Sequence, residues 1–359
     1  MGFDTGVTGV DITIVFEVIA VVLACFFLLR VINLLLLLRW YRKPLSPGTT
    51  VDVEGRQVYY TIKGEGRPVV VIEPAMGACA PEWWAIQDEL SASTRVLTYD
   101  RAGYGWSASS DAPRLSLNIA EELKDILDRL SISDRIVLVG HSIGGLFVNQ
   151  FARLYPDTIA GVVLIDPAPP DYQRFKKELD PALLHRSGID RTRMLRLLSF
   201  LSGFGFTRLM KKWIMRPYHE GEQHLIPAEV EAVLWHHALL PHAPRTALAE
   251  HLMNLGGGTR FDLKLPEGFP DVPLRVVTHS SEIEVERMIE AGRIDRSGAE
   301  AIETLWQEMI RSHVSLSSQS RLIVAEGSSH DIHLEQPGLV VKTVLELVND
   351  VRQSGMKHP

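Results

Sequence analysis

Ser142, in the run Gly140-His141-Ser142-Ile143-Gly144-Gly145, is the side chain best placed by its neighbours to act as a nucleophile. Residues 135–139, Arg-Ile-Val-Leu-Val, are short, apolar and β-branched, and predict a buried strand just before it. Residues 146–155 carry apolar side chains at helical spacing, and Pro156 ends that helix. Strand, sharp turn and helix is the setting in which a G-x-S-x-G serine is lifted out of a sheet edge. The turn strains the serine backbone, and Gly140 and Gly144 leave room for it. A hydroxyl attacks poorly until a base takes its proton. Of the 13 histidines, His330 is the best candidate. It follows a strand-like run at 321–325 and Gly327, and it precedes the last helix. His333 competes with it, and His141 is expected to point away in the turn and to be structural.

The elements that must hold these residues alternate along the chain. Residues 51–53 and 57–62 predict an opening hairpin turned at Glu54-Gly55, and 68–73 and 95–100 predict strands. Helices are expected at 80–90 and 115–130, strands at 159–166, 274–278 and 321–325, and a closing helix at 339–351. This order predicts an α/β fold with a mostly parallel, doubly wound sheet and an antiparallel start.

Five stretches resemble the α/β-hydrolase family, over roughly residues 50–352. They are Val139 to Gly145, the loop Tyr99-Asp100-Arg101-Ala102-Gly103-Tyr104-Gly105-Trp106-Ser107, residues 72–77, residues 162–167, and Gly327-Ser328-Ser329-His330 with Glu335-Gln336-Pro337. They are similar to that family's nucleophile elbow, its D-R-x-G-x-G-x-S loop, its oxyanion loop, the strand after the elbow helix and its catalytic-histidine loop. The resemblance implies a mostly parallel sheet flanked by helices, a helical cap and a Ser-acid-His triad in that chain order. The family's usual acid slot follows the strand at 274–278, and Glu282 falls near it without the expected glycine. Other members carry the acid one strand earlier, where Asp166 stands. Asp166 is the preferred acid and Glu282 the alternative. The oxyanion hole needs two backbone N–H groups. Ile143 is expected to supply one and Met76 the other, since Pro74 has no N–H. Epoxide and haloalkane hydrolysis are disfavoured, because those relatives carry an aspartate where Ser142 stands.

Composition bounds the rest. Lys and Arg number 37 against 44 Asp and Glu, a net charge of −7, and no basic patch is interleaved with aromatics, so no nucleic-acid partner is expected. The two cysteines, Cys25 and Cys79, are not expected to pair. No zinc-ligand spacing occurs, and the loose group His236, His237 and His242 lacks carboxylate partners, so no metal or other cofactor is expected. Residues 12–38 are interrupted only by Thr13, Glu17, Arg30 and Asn33, enough to span a bilayer. The cluster Arg39-Trp40-Tyr41-Arg42-Lys43 follows, and places the remainder of the chain in the cytoplasm.

The expected organisation is a tail at 1–11, a transmembrane helix at 12–38, a juxtamembrane linker at 39–49, a hydrolase core at 50–166, a helical cap at 167–272 and the rest of the core at 273–359. In the cap, 194–215 mixes Leu, Phe, Met and Trp with Arg and Lys and predicts one helix, and 228–239 predicts a second. The expected function is a membrane-anchored serine hydrolase acting on an apolar or lipid-like carboxylic ester. Thioester, amide or peptide cleavage is the alternative on the same triad. A non-catalytic ligand-binding homologue is the alternative from another class.

Overall fold

The computed structural model describes residues 12–40, 47–220, 223–256, 268–291 and 294–355. The tail at 1–11 and most of the linker, including Tyr41, Arg42 and Lys43, lie outside the described residues.

Helix α1 (Ile12–Trp40) leads into β1 (Thr49–Val53) and β2 (Arg56–Lys63). Glu54 and Gly55 join them with positive φ of 52° and 80°, the primed hairpin turn that matches strand twist. There follow β3 (Val69–Glu73), α2 (Trp84–Ser91), β4 (Val96–Tyr99), α3 (Ser116–Arg129), β5 (Ile136–His141), α4 (Ile143–Leu154) and β6 (Ile159–Ile165). An excursion contains α5 (Arg174–Glu178), α6 (Pro181–Ser187), α7 (Thr192–Ser202), α8 (Lys211–Ile214), the small hairpin β7 (His219–Glu220) and β8 (Gln223–His224), α9 (Ala228–Ala238) and α10 (His242–Glu250). The chain returns through β9 (Leu274–His279), α11 (Ser281–Glu290), α12 (Arg296–Val314), β10 (Ser320–Ala325), α13 (Ile332–Glu335) and α14 (Pro337–Gly355).

The eight-stranded sheet runs β1-β2-β4-β3-β5-β6-β9-β10, antiparallel at β1-β2-β4 and parallel from β4 onward. Strands β3, β5, β6 and β9 are buried along their whole length, as parallel strands covered on both faces must be. One apolar layer sets Leu123, Ile126, Phe151 and Ile310 against the sheet; the other sets Trp83, Ile86, Val344 and Leu347 against the opposite face.

Three expectations change. The stretch 80–90 begins as a tight turn at Ala80–Trp83 before α2, with Pro81 in its first positions. The stretch 194–215 is not one helix. Gly205, at φ 80°, ends the α7 segment, and a 3₁₀ turn (Phe206–Met210) separates α7 from α8. Helices α11 and α12 were not among the expected elements. They stand between β9 and β10, and Asp295 caps α12 by accepting from the Gly298 N–H at 2.9 Å.

Candidate active site

Parallel pairing brings the functional side chains to one edge of the sheet. Strand β5 ends at His141, and Ser142 follows with φ 55° and ψ −124° at the start of α4. That positive-φ backbone is strained for a serine, and Gly140 and Gly144, two residues away on either side, leave room for it: a Cβ on Gly140 would lie 2.8 Å from the Gly144 carbonyl oxygen. A Cβ on Gly144 would lie 2.4 Å from the Glu73 carbonyl oxygen and 2.5 Å from that of Pro74. A Cβ on Gly145 would meet Pro167 at 2.5 Å. The elbow can approach the loop after β3 only with bare backbone at Gly144, and the turn after β6 only with bare backbone at Gly145.

Asp166 follows β6, one strand over, and also has positive φ, 41°. Its N–H donates to the Val277 carbonyl at 2.7 Å, which ties it to β9. His330 comes from the loop after β10. His330 Nε2 lies 3.0 Å from Ser142 Oγ, and His330 Nδ1 lies 2.5 Å from Asp166 Oδ2. The structure therefore brings Ser142, His330 and Asp166 into one hydrogen-bonded line. Glu282 is not part of it. It stands solvent-exposed on α11, because β9 ends in His279 and the chain turns straight into a helix that carries Glu282 outward.

Asp166 is fully buried, and every donor around it favours its ionised form. Burial raises its pKa, but the charge of His279 and the hydrogen bonds from His279 and His330 outweigh this and hold it far below the usual carboxylate range. Trp306 Nε1 and Thr278 Oγ1 add weaker bonds to Oδ1 at 3.3 and 3.4 Å. His279 was missed at the sequence level. Its Nδ1 lies 2.7 Å from Asp166 Oδ2 and its Nε2 lies 2.9 Å from Glu303 Oε2. Burial lowers its pKa, but Asp166 and Glu303 on either side push it up to about 11, so it stays an imidazolium. His330 is lowered by burial and raised by its hydrogen bond and charge pairing with Asp166, with a net rise. Its side chain keeps 29% of its surface open to the cavity.

The other histidines near the site are placed by packing. The His141 ring does not point away; it tucks beneath the histidine loop, with Nε2 3.0 Å from the His330 carbonyl oxygen. Burial keeps it neutral. His333 is buried and stacked on Trp83, with ring centroids 4.6 Å apart, and Nε2 lies 3.5 Å from Glu82. His141, Asp331 and His333 bring potential metal-ligand atoms within 4.8 Å of one another, the one such group beside the Asp166–His279–His330 line among the described residues. His237 sits edge-on to Trp106, its pKa lowered to about 3 by burial and by neighbouring His236 and His242.

The loop after β3 carries Met76 to the wall of the same cavity as Ser142 and Ile143. Ile143 is the first residue of α4, so its N–H has no acceptor within the helix. Arg101 fixes that loop. It is buried, and it donates from Nη1 to the Pro74 carbonyl at 2.7 Å and from Nη2 to the Ala75 carbonyl at 2.9 Å. Its charge is balanced by Glu73 Oε1 at 2.7 Å and Glu250 Oε1 at 3.0 Å. Asp100 folds the rest of the loop by accepting from the Ala80 and Trp106 N–H groups at 2.7 and 2.9 Å. Gly105 is obligatory there, since a Cβ would lie 1.9 Å from Asp100. The cavity above Ser142 holds about 450 Å³ and is walled by Met76, Tyr172, Met215, Leu234, Leu255 and Trp306 among others.

A family model described as "Alpha/beta hydrolase family" matches residues 69–343, and the chain belongs to that family. An "AB hydrolase superfamily protein" of Gibberella zeae is 24% identical over 87% of this chain and 97% of that protein. The chain spans about half the length of another relative, an uncharacterized Bacillus subtilis protein that is 28% identical over the 47% of this chain it matches. Two solved structures share the fold. One is an epoxide hydrolase (TM-score 0.60, 15% identity, 85% of this chain and 99% of that one). The other is an esterase from Thermogutta terrifontis (TM-score 0.52, 21% identity, 85% and 97%).

Proposed function

We propose that this chain is a membrane-anchored serine hydrolase that cleaves a carboxylic ester with an apolar acyl or alkyl part. The observation that carries the reading is the continuous line from Ser142 Oγ through His330 to Asp166, with contacts of 3.0 and 2.5 Å. His330 Nε2 takes the Ser142 proton as Oγ attacks the ester carbonyl, and Asp166 stabilises the imidazolium that forms. The N–H groups of Ile143 and Met76 receive the developing oxyanion. The tetrahedral adduct collapses, the C–O bond to the alcohol breaks, and His330 returns the proton to the leaving oxygen. Water then gives a proton to His330 as its oxygen attacks the acyl carbon, the bond to Ser142 Oγ breaks to release the acid, and His330 returns the proton to Oγ. The esterase among the fold neighbours supports the reaction class, and the serine at position 142 favours acyl transfer over epoxide opening. The apolar side chains Met76, Met215, Leu234 and Leu255 in the cavity wall support an apolar part in the substrate, and α1 supports the anchor, being apolar and long enough to span a membrane.

A fluorophosphonate probe should label the wild-type chain, which should also hydrolyse p-nitrophenyl esters. Ser142→Ala should lose both. Esterase activity that survives intact in Ser142→Ala would exclude this mechanism.

A further inference from the structure

Arg30 and Asn33 interrupt the apolar run of α1, and both meet the cap. Asn33 Nδ2 donates to the carbonyls of Ser202 and Gly203 at 3.0 and 3.3 Å, and Arg208 donates to Asn33 Oδ1. Arg30 lies beside Gly203, and Phe26 packs edge-on against Phe204 with centroids 5.1 Å apart. Asn33 is only 2% exposed. On either side of this contact α1 displays Phe27, Leu28, Leu34, Leu35 and Leu38, all exposed and all in need of lipid. With α1 spanning a bilayer, as proposed above, these contacts set the end of α7 and the turn after it at the depth of a membrane leaflet.

The same cap segment is built for that position. Its outer face exposes Leu197, Phe200, Leu209 and Trp213 at 56%, 58%, 84% and 45%. Residues 191–219 contain seven Arg and Lys and no Asp or Glu, within a chain of net charge −7. Apolar side chains among cations whose stems can reach upward is the composition of an interfacial segment that favours anionic headgroups. The stretches at both ends of the segment, Gly188 to Arg191 and Ile214 to Tyr218, supply walls of the serine cavity.

We propose that the α7–α8 segment is a membrane-docking surface whose partner is a lipid leaflet with anionic headgroups, and that the serine cavity takes its substrate from that leaflet. This rests on the reading of α1 as a membrane anchor and, for the second clause, on the hydrolase reading.

The full-length chain in phosphatidylcholine vesicles containing phosphatidylglycerol tests it. Spin labels go on native Cys25, on Leu209→Cys and on Glu282→Cys, the latter two with Cys25→Ser and all with Cys79→Ala. Oxygen, which partitions into lipid, and a water-soluble nickel chelate report where each label lies. The labels on Cys25 and Leu209→Cys are expected to favour oxygen, and the Glu282→Cys label nickel. A nickel-accessible Leu209→Cys label beside a lipid-exposed Cys25 label overturns docking and leaves the anchor standing. A Cys25 label in water overturns both. A Leu209→Cys label shielded from both reagents signals a second copy of the chain and also overturns docking. In a separate assay, Leu209→Ser with Trp213→Ser should lower turnover of a vesicle-dissolved long-chain ester about tenfold or more. A short water-soluble ester should be cleaved as by wild type. Equal loss on both esters, or none on either, overturns the leaflet route. Absence of all hydrolysis in wild type would remove the hydrolase reading and with it the leaflet route, while the label positions still decide docking.

Discussion

At the scale of single residues, the site turns on one carboxylate shared by two histidines. Asp166 Oδ2 accepts from both His330 and His279. Asp166→Asn should lower kcat by about 10⁴-fold, because an amide can no longer hold the histidine tautomer or stabilise its cation. It also leaves the buried His279 cation without one partner, so urea melts should show a stability loss of about 3 kcal/mol as well. Glu282→Gln should match wild type in both measurements; an inactive, folded Glu282→Gln would move the acid to α11. The pH profile carries a second signature. His330 must be neutral to accept the serine proton, and its pKa is raised, so kcat/KM should fall as pH drops toward and through an inflection above the ordinary histidine value. His279→Gln removes a positive charge that shares Asp166, so His330 should hold its proton more tightly and the inflection should move to still higher pH. An inflection that stays in place in His279→Gln would mean that His279 has no electrostatic hold on the triad.

At the scale of elements, close backbone approach and a buried ion network do the positioning. The first turn of α4 touches the loop after β3 through Gly144, with no space for a methyl group. Gly144→Ala should push that loop from the elbow and cost kcat about 10² or more, the size of a lost oxyanion donor, with a smaller change in KM. Wild-type kcat in that variant would place the oxyanion donors elsewhere. Arg101 joins β4 to the β3 loop and to Glu250 at the end of α10, so the core and the cap share one guanidinium. Arg101→Met should leave Glu73 and Glu250 as uncompensated buried carboxylates and destabilise the fold by about 3–5 kcal/mol in urea melts. A loss below about 1 kcal/mol would show that the network is not needed for folding.

At the scale of the whole molecule, the catalytic half and the apolar helix are coupled through the cap and not only through the linker. Phe26, Arg30 and Asn33 meet Ser202 to Arg208, so the position of α1 and the position of the cap are linked. Asn33→Leu should free the cap without detaching the chain from membranes. Sedimentation with vesicles should be unchanged, while protease cleavage within 200–210 should become faster than in wild type. Cleavage at the wild-type rate would show that the Asn33 contacts do not restrain the cap. The charge cluster at 39–43 adds a topological expectation. Reporters fused after Pro359 should be active only as cytoplasmic types, and an active extracytoplasmic reporter would reverse the orientation.

Much of this was legible locally. The elbow is local because strand, glycine turn and helix are adjacent in sequence, and a serine in that turn has one backbone solution. The buried strands are legible because parallel strands covered on both faces must be apolar throughout. The sheet start at Glu54-Gly55 follows from turn chemistry alone, and α1 from its length and apolarity. Helix α12 also carries a local signal, Ile302, Leu305, Trp306, Met309 and Ile310 at helical spacing behind the Asp295 cap. Other features have no local signal. Asp166 and Glu282 both sit near strand ends, and only the pairing of β6 between β5 and β9 sets one beside His330 and leaves the other in solvent. His279 reads as an ordinary strand-end histidine until that pairing faces it with Asp166 and α12 brings up Glu303. Asn33 reads only as a polar break in the apolar run of α1 until the cap supplies its partners 169 to 175 residues away. Backbone conformation and burial are properties of short segments and can be read along the chain. Which charge meets which across the sheet edge, or across the cap, is decided only when distant segments close on one another.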